Sequence, residues 1–250
     1  AMTHEDFVLK VLLATTAIII YFLLMKLEDM AEGRSYPERK NWKTRGWLFF
    51  LLSAVITLPF PILIHGYDIL GGSVFDLSHL GPLTGGFLGW FVYTLPAYFF
   101  HRASHDFSFV WKWTHQMHHA PVRNDAASSS VVHPIESLVY ATMIILVACG
   151  LLGISLQATF VMLMIIQLYA FFPHTNIKTH PLIGYLIQRP EGHVLHHARE
   201  VQDVNYGDFP IWDMIFGTWV NPEGYSQEPI GFGEGRDELY MDMLKGRLIS

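Results

Sequence analysis

Eight histidines fall in three short clusters: His101 and His105 in HRASH, His115, His118 and His119 in HQMHH, and His193, His196 and His197 in HVLHH. Neutral imidazole is a good ligand for iron, zinc, copper and nickel. Residues three and four apart share one face of a helix. H-x-x-x-H therefore presents two imidazoles in one direction, and H-x-x-H-H is expected to present three. Eight imidazoles are too many for one ion and suit two. Without metal, such clusters would repel one another on protonation and strand buried polar groups. The chemistry to expect is that of a two-metal site.

Other histidines stand near enough in sequence to join it. His174 follows an apolar stretch and precedes the third cluster, so it is taken as a further ligand. His180, before Pro181, and His133, in His133-Pro134-Ile135-Glu136, are candidates for binding metal or for holding ligands from behind, as is Glu136. His4, His65 and His79 are expected on the opposite side of a membrane, in local roles.

The elements that must position these groups are apolar. Hydrophobic residues make up 51% of the 250 and charged ones 15%, against about a quarter in soluble domains. Four stretches approach the roughly 20 residues needed to cross a bilayer: 7–27, 47–64, 83–100 and the longer 138–172, which breaks near 150–155 and reads as a helical hairpin. The first stretch is read as a membrane segment and not a cleaved signal, because it has no basic lead and no A-x-A site. Outside the stretches, every Lys and Arg lies in 28–46, 101–136 or 174–250. The positive-inside rule places those regions in the cytoplasm. The expectation is an all-α integral membrane bundle of about four to five segments. A histidine-rich cytoplasmic cap, 101–136 with 174–220, completes a single domain over 1–250. The Gly- and charge-rich tail after Asn221 reads as a surface extension. The net charge of −6 leaves no footprint for nucleic acid, and the lone Cys149 excludes a multi-thiolate site.

These motifs resemble those of the fatty acid hydroxylase/sterol desaturase superfamily. The resemblance is carried by HRASH at 101–105, WKWTHQMHH at 111–119, HPIE at 133–136, HTN at 174–176 and HVLHH at 193–197. It continues through Asn205-Tyr206-Gly207 and Trp212-Asp213-Met214-Ile215-Phe216-Gly217-Thr218, and covers about residues 90 to 220. It implies two Fe ions held by His101, His105, His115, His118, His119, His193, His196 and His197, with His174. Zinc could substitute in purified protein. Asp203, Asn205 and Asp213 could orient the ligands from behind or simply pack the cap. The second histidine of one expected pair lies six residues on, at His180, which departs from the shorter spacing of some relatives.

Such a centre is expected to use O2 to oxidise a lipid C–H bond. Hydroxylation of a fatty acyl chain, sterol or other membrane lipid is the leading expectation, and desaturation at the same site the alternative. A metal transporter or storage protein is the competing class, disfavoured because no apolar stretch contains Asp or Glu. The chain carries no flavin or nicotinamide fingerprint, so electrons should come from an external ferredoxin, cytochrome or reductase. The membrane would be a bacterial inner membrane or the endoplasmic reticulum. The lipid should arrive from the bilayer along a slot between the third segment and the hairpin, with Gly85 and Gly89 on its wall.

Overall fold

Long apolar runs become long helices, because a helix satisfies its own backbone wherever water is absent. The computed structural model describes residues 4–57, 59, 70–201, 203–233 and 235–249, without the side chains of 4–10, 12–14 and 17. Helix α1 spans His4–Met30, α2 Trp42–Thr57 and α3 Pro82–Asp106. Helix α6 spans Pro134–Ile145 and runs on as a π-helical segment over Leu146–Leu152, and α7 spans Leu156–Phe171. The described residues are all helix, turn and loop, with three isolated β-bridges and no strand. His65 and the end of the second apolar stretch lie outside them, and His79 is exposed on a loop.

Two stretches, Pro134–Leu152 and Leu156–His174, are long and apolar enough to cross a membrane. The break between them falls where the sequence puts it: Gly153 takes a left-handed φ of 60°, and Ser155 caps α7 by accepting the Ala158 N–H. Apolar side chains such as Leu23, Val55, Leu83 and Phe87 point outward from α1, α2 and α3. Apolar surface of that extent is normally covered by a partner or by lipid.

One apolar core joins α3, α6 and α7 through Trp90, Tyr93, Ile144, Ile154 and Met162. A second joins α1, α2 and the cap through Tyr21, Phe50, Met117, Phe171 and Met243. Gly86 and Gly89 let α3 approach α7 closely, since a Cβ there would lie 2.6 Å from Val161 or 2.8 Å from Met162. Gly85 meets Ala158 in the same seam. The wall expected at Gly85 and Gly89 is therefore a helix–helix contact, and a bulky residue would part α3 from α7.

The cap is built of short pieces: α4 (Ser108–Trp113), α5 (Gln116–His119), α8 (Pro190–His196), α9 (Ile211–Phe216) and α10 (Tyr240–Leu244). Buried Glu28 ties α1 to it, accepting the Ala126 and Asn176 N–H groups at 2.7 Å each. The tail after Asn221 is not the surface extension its composition suggests. Ile230 and Met243 are buried, Phe232 N–H donates to Ala120, and Gln116 bonds the Arg247 carbonyl. Backbone pairing and a few apolar anchors outweigh the polar composition.

Candidate metal centre

Nine histidines converge on two points. His101, His105, His115, His119 and His196 bring one ring nitrogen each within 4.8 Å of one another, and His118, His174, His193 and His197 do the same. Helix α3 supplies His101 and His105 from adjacent turns of its last segment. The other two clusters do not point as blocks. His115 and His119 face the first group while His118 faces the second; His193 and His197 face the second while His196 faces the first. Neighbours on a helix differ by about 100°, so α5 and α8 lie between the two groups and feed both. Parallel presentation of all three imidazoles holds only for the i, i+4 pairs.

The nitrogen spacings suit metal ligation. His118 and His174 Nε2 lie 3.0 Å apart, His174 and His193 Nε2 2.9 Å, and His193 and His197 Nε2 3.1 Å. In the first group His115 and His119 Nε2 are 3.1 Å apart. Nitrogens about 2.1 Å from one ion and at right angles would be about 3.0 Å apart. The buried Nε2 atoms of His101, His105 and His196 have no hydrogen-bond partner among the described residues. An ion at the first point would satisfy them, and the close Nε2 atoms of the second group suit another, so the donor set fits two metals.

The rings are aimed by what holds their far nitrogens. His101 Nδ1 donates to the Tyr206 carbonyl, His196 Nδ1 to Val204 at 2.7 Å, and His174 Nδ1 to Ala170 at 2.8 Å. A carbonyl can only accept, so each of these rings turns its bare Nε2 inward. His115 Nδ1 lies 2.6 Å from Glu136 Oε1, both groups being buried. Asp213 accepts the Tyr206 and Gly207 N–H groups and the Thr218 hydroxyl, fixing the peptide that holds His101. Asn205 adopts a φ of 57°, a region Asn tolerates better than most residues, and bridges Gly192 and Val220. Backbone carbonyls carry no sequence signal, so their part was not readable beforehand.

The remaining candidates stay outside both groups. His133 and His180 accept the N–H two residues ahead, His133 capping α6 and His180 the short helical turn Pro181–Tyr185. Asp203 is exposed. Trp111, passed over as a functional residue, walls the first group, its ring 5.2 Å from those of His105 and His119.

Burial keeps these imidazoles neutral. It pushes His101 down to about 4 and, helped by the His101 charge, His105 down to about 2. An unfolded histidine titrates near 6.5. Below that pH the unfolded chain takes up protons that the folded cluster refuses, so folding weakens as pH falls; above it the contribution is complete. Chelator-treated protein in detergent should therefore lose thermal stability steadily from about pH 6.5 to about pH 4, and metal-loaded protein should release its metal as the pH is lowered. A flat melting temperature across that window would contradict neutral, buried ligands.

A cavity of about 250 Å³ opens beneath the histidines. His101, His115, His118, His174 and His193 form its head; Trp90, Tyr140, Ile144, Leu163 and Ile166 line its body, and Ser53 and Thr57 of α2 its side. Trp90 precedes His101 by eleven residues on α3, so the cavity runs about 16 Å along the helix.

Residues 86–218 match the family described as fatty acid hydroxylase, and all nine histidines fall inside that span. The chain belongs to the fatty acid hydroxylase family. Its relatives are named for different activities. A very-long-chain aldehyde decarbonylase of Oryza sativa subsp. japonica is 31% identical over 80% of this chain and 29% of its own length. An alkylglycerol monooxygenase of Danio rerio is 29% identical over 49% of this chain and 28% of its own. An ornithine lipid hydroxylase of Rhizobium tropici is 27% identical over 58% and 44%. The chain thus spans less than half the length of each of these relatives. No solved structure matches it. The family span covers the helices that carry the metal groups and nearly all of the seam of α3 and α7.

Proposed function

We propose that this chain is a di-iron lipid hydroxylase, with the five-histidine and four-histidine groups as the ligands of two Fe ions. The carrying observation is that both groups head one apolar cavity between α3, α6 and α7. When bound, the metals would supply open coordination positions and electrons for oxidation by dioxygen. In the overall reaction one oxygen atom enters the C–H bond and the other leaves as water, with two electrons from an external ferredoxin, cytochrome or reductase and two protons from solvent. The residues of the chain position and exclude. The carbonyls behind His101, His174 and His196 hold the rings, and the walls of Trp90, Ile144 and Leu163 keep water from the alkyl chain.

Metal analysis of purified protein, with mass spectrometry of lipids from cells with and without the gene, tests this reading. Two irons per chain and a lipid that gains one oxygen are expected. Loss of two hydrogens would replace hydroxylation by desaturation, and an unchanged lipid profile with exchangeable metal would point to transport or storage. Leu163→Trp would shorten the cavity body. It should shift the products toward shorter chains with iron content unchanged, and an unaltered chain-length profile would place the lipid elsewhere.

The proposed setting is an integral membrane protein, of a bacterial inner membrane or the endoplasmic reticulum, with the histidine cap facing the cytoplasm. Five crossings put the amino end outside. Reporter fusions after Ser73 and after Leu248 should then give opposite sides, and a matching pair of answers would defeat that count.

A further inference from the structure

Asp208 is a carboxylate in the lining of a largely apolar cavity. It follows Gly207 on the loop that descends along α3, between Tyr206, whose ring lies 5.7 Å from that of His101, and Phe209, whose ring lies 5.1 Å from that of Trp90. Its side chain is exposed and forms part of the cavity lining. Tyr93 and Tyr140 line the same cavity and couple electrostatically to it. Among the described residues none of these three side chains is given a hydrogen bond, and no Lys or Arg lines the cavity. Desolvation by the surrounding protein, and then the like charge of Asp213, pushes the Asp208 carboxyl up to about 7.

Ligand pockets are apolar surfaces with a few placed polar groups that fix orientation. Building on the hydroxylase reading, we infer that Asp208, with Tyr93 and Tyr140, is the recognition site for a hydroxyl group on the lipid substrate. A hydroxyl satisfies both sides: its O–H donates to the carboxylate, and its oxygen accepts from a phenol. An ammonium could also meet the carboxylate, but it would carry a full charge through an apolar passage. The site lies between the levels of Trp90 and His101, so the hydroxyl would be held within about 16 Å of the metals. The substrate would then be a hydroxylated lipid, anchored at that group, and not a plain hydrocarbon chain.

Binding can be read without turnover. Trp90 lines the cavity, so quenching of tryptophan fluorescence in metal-loaded protein reports occupancy. The probes are a brominated long-chain primary alcohol, its methyl ether and the matching primary amine. The ether keeps the acceptor oxygen and loses the donor. Wild type should bind the alcohol about tenfold more tightly than the ether, the worth of one hydrogen bond to a charged acceptor. Asp208→Leu should abolish that ratio without weakening the ether, and Asp208→Asn, which keeps an acceptor, should retain part of it. Partition into detergent is common to all three proteins and cancels. Equal binding of alcohol and ether by wild type, or a ratio that survives D208L, would overturn the assignment. So would an amine that binds more tightly than the alcohol by a margin lost in D208N, which would make the site an ion pair. Iron content and oxygenated product, measured on the same preparations, test the hydroxylase reading alone. The binding ratio stands or falls whatever they show.

Discussion

Replacing His196 with alanine should remove iron from one position and leave the other largely filled. His196 is the only ligand that α8 gives to the first group, while His193 and His197 remain with the second. His118→Ala should do the converse, because α5 gives His118 to the second group and His115 and His119 to the first. Iron should fall from two per chain toward one in each variant, and activity by about a hundredfold or more, beyond the effect of losing a group that only orients a ligand. Metal analysis with turnover of the same samples checks this. If either substitution strips both irons equally, the two groups are not separate sites. If either leaves iron and turnover intact, the ligand assignment fails.

Arg189→Met should be the most destabilising single change away from the histidines. Arg189 and Glu191 are both fully buried, with Nη2 and Oε1 3.2 Å apart. The guanidinium also bonds Thr179, Asn221 and the Pro222 carbonyl. Removing it strands the Glu191 charge, and breaking a buried pair from one side costs about 3–5 kcal/mol. Arg189 stands at the start of α8, which feeds both metal groups, so metal affinity should fall with stability. A lysine would not rescue it, since it lacks the planar fork that makes these bonds together. Thermal unfolding in detergent with parallel metal content measures both effects. A melting temperature like that of wild type would show that the network contributes little.

Much of this protein can be read from its residues alone. Apolar length gave helices for α1, α3, α6 and α7, because a run of that kind can only satisfy its backbone internally. The break near Gly153 and Ser155 was legible in the same way, from a residue that tolerates positive φ beside one that caps. Histidine spacing announced metal, since i, i+4 imidazoles share a direction without any knowledge of the fold. What spacing encodes is an angle about a helix's own axis. It does not say where that axis lies relative to another helix. Only the tertiary structure therefore divided His118 from His119 and His196 from His197, by setting α5 and α8 between two centres. For the same reason it put Gly85 and Gly89 in the seam with α7 and not on the cavity wall. It also folded the polar tail back over Ala120 and the α5 helix, and gave His101, His174 and His196 their backbone partners. Asp208 is the same case: in sequence it is one more acid in a loop, and only the packing of distant helices puts it in the lining of the cavity that the histidines head.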